Sequence, residues 1–130
     1  MVRKVEVFPY DPAWKALYEK ESARLRPLFG SNLIALYHIG STAVPGLAAK
    51  PTIDLLAAVR SHEMLEGMSP NLQALGYEAK GENGIPGRRY FQKLQGDVHL
   101  YHIHAYESGH PDIQRHLNFK DYLQTHPDEA

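Results

Sequence analysis

Apolar positions change their period along the chain, and the changes mark the elements. Asp11-Pro12 opens a helix, because Asp caps and Pro suits the first helical position. Trp14, Leu17, Tyr18, Leu25 and Leu28 then form its apolar stripe, which closes near Gly30, with Pro27 ending or kinking the last turn. Before it, Val5 and Val7 with Phe8 read as a short lead-in strand or arm. Leu33 to Ile39 is strand-like, and Ile53 to Val59 is a nearly unbroken apolar run suited to a central strand covered on both faces. Ser61 caps a second helix carrying Met64, Leu65 and Met68, which breaks at Pro70 and continues through Leu72 and Leu75 to Gly76. Tyr77 to Lys80 is a short strand, followed by a glycine-rich loop over 81–87. Arg88 to Leu94 and Val98 to Tyr106 flank Gly96-Asp97, a hairpin signal. Pro111 opens a last helix with Ile113, Leu117 and Leu123 facing inward and Pro127 beyond it. This order predicts an α+β fold, a mixed β-sheet with helices packed on it, in one domain over residues 1–130.

Composition narrows the chemistry. The chain has no cysteine, which excludes disulfides, zinc-thiolate sites and thiol nucleophiles. Its net charge of -1 argues against a nonspecific electrostatic hold on nucleic acid. No stretch reaches the roughly 20 apolar residues needed to span a bilayer. Met1 to Val7 lacks the apolar run of a signal peptide, so a cytoplasmic location is expected. The eight histidines are numerous and make charge and metal affinity pH-sensitive. The chain stops after His126-Pro127, where an apolar surface for a partner or a second copy, as in a homodimer, is expected.

One residue breaks the apolar run of the central strand. Asp54 is a carboxylate where none is needed structurally, and a buried carboxylate is paired, protonated or bound to a cation. Upstream lies Gly40-Ser41-Thr42, a small-residue turn that offers backbone N–H groups to phosphate, while Asp54 offers oxygen to a divalent metal such as Mg²⁺, Mn²⁺ or Zn²⁺. The structural alternative for Asp54 is an ion pair with Lys50, Arg88 or Arg89. Those three cations are equally candidates to neutralise phosphates, although Arg88 and Arg89 are adjacent and project to opposite faces of a strand. His102 and His104 project from one face and, opposite Asp54, make a candidate metal site. Hydrogen bonds to backbone or tyrosine are their structural alternative. His38 precedes the turn and is a candidate ligand or general base.

The Gly40-Ser41 turn followed by Asp54 on a strand resembles the nucleotidyltransferase superfamily of DNA polymerase β-like proteins. That superfamily places an Asp-x-Asp pair on the strand and a third carboxylate on a later one. Here Thr52 stands in place of the first Asp, and His102 and His104 stand on the later strand. Six segments resemble a narrower group, the GrpB family of bacterial proteins: Val7 to Trp14, His38 to Gly46, Lys50 to Asp54, Gly87 to Phe91, His102 to His104 and Phe119 to Leu123. The resemblance implies a nucleotidyltransferase-like fold and a nucleotide or phosphorylated small molecule as ligand. Fusion of some relatives to dephospho-coenzyme A kinase points the same way. Three functions compete: a nucleotidyltransferase-like enzyme, a metal-dependent hydrolase using His38, Asp54, His102 and His104, and a non-catalytic phospho-ligand module. Because Thr52 cannot supply the second charge, one metal with nitrogen ligands is expected over two Mg²⁺ ions held by oxygens.

Overall fold

The computed structural model describes residues 7–126. Five strands form one sheet: β1 (Leu33–Ile39), β2 (Ile53–Val59), β3 (Tyr77–Ala79), β4 (Arg88–Gln95) and β5 (Val98–Glu107). Their spatial order is β1-β2-β5-β4-β3, with β2 and β5 parallel and every other neighbouring pair antiparallel. The helices are α1 (Ala13–Phe29), α2 (His62–Gly67), α3 (Ser69–Ala74) and α4 (Pro111–Thr125). Among the described residues no helix is long and apolar enough to cross a membrane.

The sheet has two unlike faces. On one, Ile53, Leu55, Ala57 and Val59 of β2 and Ile103 and Ala105 of β5 join Trp14, Leu25 and Phe29 of α1, Leu65 of α2 and Leu72 of α3 in the main core. Each such fully buried Leu or Ile stabilises the fold by about 1.5–3 kcal/mol. On the other face α4 packs, joined by Ile85 of the glycine-rich loop. Ile113 and Leu117 of α4 cover Ile39, Leu56 and Tyr106, and polar residues fill the remainder.

Most elements fall where the sequence predicts them, because β2 is apolar throughout except at Asp54 and the hairpin turns at Gly96-Asp97. The differences have local causes. The described part of the lead-in makes one antiparallel bridge, Phe8 to Ala49, as an arm would. Val5 and Pro127 lie outside the described residues. Pro27 sits inside α1 without ending it; Gly30 does that, with φ 56 and its N–H on the Arg26 carbonyl. Leu17 and Met64 are exposed, while Glu21 is fully buried. The second helix breaks at Met68, which lets Pro70 sit in the first turn of α3. The strand with Asp54 is interior and adjacent to β1, but the middle place belongs to β5.

Candidate functional site

Register decides which side chains meet. Asp54 pairs with His102 across the parallel β2–β5 ladder, and Leu56 with His104. Antiparallel pairing then sets Gln92 beside His102 and Tyr90 beside His104. Partners across a ladder share a face, so Asp54, His102, His104, Tyr90 and Arg88 all project from the face that α4 covers only in part. His104 Nε2 lies 3.2 Å and His102 Nδ1 3.4 Å from the same oxygen, Asp54 Oδ1. The Asp54 side chain keeps 27% of its surface exposed. Burial pushes its carboxyl up, but the hydrogen bonds from His102 and His104 overcome this and hold it at about 2. Asp54 is therefore an anion at every physiological pH.

The second oxygen faces the turn. Gly40 has φ 76 and ψ -175, a conformation open to glycine alone, and a Cβ added there would meet Asp54 Oδ2 at 2.8 Å. The backbone thus passes directly over the carboxylate. A cavity of about 170 Å³ opens at this point, lined by Ser41, Thr42, Lys50, Thr52, Asp54 and His102. Lys50 is its cation. Thr52 is buried and its hydroxyl donates to the His99 carbonyl at 3.1 Å, so it is already committed.

Arginine fixes the state of His104. Arg88 is buried, stacks over Tyr90 at 4.6 Å, and donates to the carbonyls of Glu82 and Asn83 in the glycine-rich loop. Its Nη1 also lies 3.3 Å from His104 Nδ1. Because guanidinium only donates, Nδ1 must be the ring's lone-pair nitrogen, and Nε2 carries the proton aimed at Asp54. His104 thereby faces Asp54 as a donor through Nε2. Metal ligation through Nε2 would require the opposite tautomer, with an N–H against the arginine. Among the described residues no group of three or more His, Asp or Glu side chains is placed to hold a metal ion. Asp54, His102 and His104, expected as a metal centre, lie together, with the His104 Nε2–H turned to the carboxylate.

Two other expected site residues are on the far face. Arg89 pairs with Glu66 of α2 at 3.1 Å, away from Asp54, as adjacent strand positions require. Arg88, though on the correct face, spends its donors on the loop and on His104. His38 pairs with Leu55 and so projects with the main core face, where it stacks on Tyr18 with ring centroids 4.7 Å apart. Burial, then the nearby Lys120 charge, lower its imidazole to about 4 against a partly opposing pull from Asp54. His38 does not enter the Asp54 cavity.

One participant is invisible to simple alternation. An irregularity between Lys93 and Leu94 leaves Leu100 unpaired on β5, because Lys93 pairs with Tyr101 and Leu94 with His99. The bulge brings His99 to the face of His102, where His99 Nδ1 and His102 Nε2 are 2.8 Å apart. With the His102 proton on Nδ1 for Asp54, His99 donates to Nε2. A chain Asp54–His102–His99 results. A bulge signal in the sequence, beyond an odd spacing of histidines, is absent.

A family model described as GrpB protein matches residues 4–130 of the chain. The chain is 50% identical over 128 residues to the UPF0157 protein YqkA of Bacillus subtilis, covering 98% of this chain and 37% of that protein. A more distant relative, a dephospho-CoA kinase of Mycolicibacterium paratuberculosis, is 30% identical over 150 residues, covering 95% of this chain and 36% of that one. Among solved structures, conserved protein GrpB from Enterococcus faecalis superposes with a TM-score of 0.90 at 39% identity, covering 95% of this chain and 74% of that chain. The chain spans less than two thirds of the length of these curated relatives. On the strength of the matched model and the superposed sheet, the chain belongs to the GrpB family.

Proposed function

We propose that the chain binds a nucleotide or another phosphorylated small molecule at the Asp54 cavity, as a nucleotidyltransferase-like protein. The phosphates would lie against the Gly40-Ser41-Thr42 turn and Lys50, and Asp54 would hold a divalent cation, Mg²⁺ or Mn²⁺, beside them. The observation that carries this reading is the close approach of Gly40. It sets the Gly40-Ser41-Thr42 turn against a carboxylate oxygen that accepts no hydrogen bond among the described residues. Mg²⁺ suits such a place, since it takes one or two carboxylates and completes its shell with phosphate oxygens and water. When bound, the cation neutralises phosphate charge and polarises the phosphoryl group. Around it, Asp54 stays ionised, His102 and His104 orient the carboxylate, and Lys50 adds a second positive charge. The name dephospho-CoA kinase on a relative agrees with a nucleotide-related ligand.

A second reading, binding without transfer, is favoured by Thr52. Its hydroxyl is spent on the His99 carbonyl, and no second carboxylate lines the cavity. Calorimetric titration with ATP in Mg²⁺, and again in EDTA, tests the site. Binding should depend on the cation and weaken at least about tenfold in Asp54→Asn, the effect of losing a charge-assisted contact. Equal affinity in EDTA or in the variant, or no affinity at all, would remove the site. Release of pyrophosphate from the nucleotide would favour transfer over binding alone.

A further inference from the structure

A second cavity, about 380 Å³, opens beside the first, between α1, the end of β1, the Ser41–Ala43 turn and α4. Its size suits a small planar molecule. The two cavities share Thr42, which lines both. Tyr18 and His38 line it as a stacked pair, ring centroids 4.7 Å apart and nearly parallel at 7°. Lys120 of α4 closes one side, donating to the His38 carbonyl at 3.0 Å.

Hydrogen bonding fixes the histidine. Thr42 Oγ1 donates its only proton to the Thr52 carbonyl at 3.3 Å. It must therefore accept from His38 Nε2, 3.0 Å away. His38 is the Nε2–H tautomer, and Nδ1 is left as an acceptor with no protein partner among the described residues. Burial and the Lys120 charge keep the ring neutral above about 4, so the lone pair persists at physiological pH. A half-buried aromatic wall carrying one unused acceptor calls for a planar ligand with an N–H to donate.

We infer that this second cavity holds the base of the same nucleotide whose phosphates occupy the Asp54 cavity, and that His38 Nδ1 accepts from an amino group on that base. This rests on the phosphate reading above. The ligand crosses from one cavity to the other over Thr42, with its base against Tyr18 and His38. An adenine-type or cytosine-type base satisfies the acceptor through its exocyclic amine; a base without that group leaves it unpaired.

Three ligands separate the claims in Mg²⁺ titrations: tripolyphosphate, purine riboside triphosphate, and ATP, which differs from the second by the amino group alone. ATP should bind about tenfold more tightly than purine riboside triphosphate, the factor of one hydrogen bond to a half-buried group. Tripolyphosphate should bind more weakly than either. In His38→Gln and in Tyr18→Leu the preference for ATP should shrink, while tripolyphosphate affinity, which reports an intact phosphate cavity, should hold. Equal binding of ATP and purine riboside triphosphate by the wild type would overturn the base assignment and leave the phosphate site standing. So would an ATP preference that survives both substitutions. A tripolyphosphate that does not bind at all would overturn the phosphate site and this inference together.

Discussion

Two carboxylates lie on opposite faces of the sheet, Glu21 from α1 over the main core and Asp54 from β2 on the face that α4 covers in part. Glu21 is fully buried, and every direction around it is taken. Tyr77 donates to it at 2.6 Å, Lys93 Nζ lies at 2.6 Å and Arg24 at 3.4 Å. Lys93 is itself wedged between the Tyr77 and Tyr101 rings. Asp54 has both histidine donors on one oxygen, keeps the other against a glycine turn, and opens onto a cavity. The first is a closed cage, in which any ligand would have to displace a partner. The second has an acceptor to spare and a space in front of it. What separates a structural carboxylate from a candidate functional one here is the unfilled valence, since both are ionisable groups set among apolar neighbours.

The sharpest break of that comparison is to remove one partner from each. Lys93→Met leaves the fully buried Glu21 with the half-exposed Arg24 at 3.4 Å to balance it, which should cost about 3–5 kcal/mol of stability. Asp54→Asn should cost only about 1–2 kcal/mol, because the asparagine can still accept from one histidine and the site is partly solvated. Urea unfolding of both variants measures the gap. If Asp54→Asn proved the more damaging, Asp54 would be the structural centre.

Acid separates the two faces next. The Asp54 carboxyl is lowered from 3.8 to about 2, so the folded state holds its proton less tightly than the unfolded chain. Its contribution, about 2 kcal/mol, is present above pH about 4 and is lost as pH falls toward 2. His38 has its own earlier window. Its imidazole is lowered from 6.5 to about 4, so its contribution is present above 6.5 and declines as pH falls through that range. Stability measured from pH 7 to pH 2 should fall in two stages, with the upper one missing in His38→Gln and the lower one missing in Asp54→Asn. A single stage insensitive to both substitutions would show that neither group is perturbed.

Gly40→Ala gives a smaller effect on folding. The alanine must hold φ near 76 and set its Cβ 2.8 Å from Asp54 Oδ2. Relief by a shift of the turn should hold the loss to about 1–2 kcal/mol. Affinity for Mg²⁺-ATP should drop far more than stability does, since the methyl fills the space between turn and carboxylate. Full binding by the variant would mean that the turn is not where the phosphates lie.

How far the sequence foretells these two sites follows from what each depends on. The β2 run, the Gly96-Asp97 hairpin and the shared face of His102 and His104 are local patterns, and all are legible. The burial of Glu21 escapes a local reading because glutamate on a helix usually faces water. Yet Trp14, Tyr18, Glu21, Leu25 and Phe29 recur every three or four residues, so the stripe includes it and excludes the exposed Leu17. Setting Asp54 beside His102 needs the β2–β5 register, and setting His38 on the other face needs the β1–β2 register, neither of which local spacing encodes. The bulge that turns His99 toward His102 lies further still from any local signal.

The subtlest effect expected concerns a proton on one ring. Arg88 donates to His104 Nδ1, and together with the Asp54 carboxylate, which only accepts, it makes Nε2–H the form that faces Asp54. Nitrogen chemical shifts of His104 should therefore report a protonated Nε2 and a bare Nδ1 in the wild type. Arg88→Met removes the donor, worth about 1 kcal/mol, and should move the tautomer balance by a factor of about five. The freed ring can then place its proton on Nδ1 and offer Nε2, beside Asp54 Oδ1 and His102 Nδ1, to a metal. Zn²⁺ should bind weakly to the wild type and more tightly to Arg88→Met. Folding of the variant can be followed separately by the chemical shifts of the main core, which lies on the opposite face. Tight, histidine-dependent Zn²⁺ binding by the wild type would mean that the arginine does not hold the tautomer. It would restore Asp54, His102 and His104 as a metal centre in place of a carboxylate oriented by two donors.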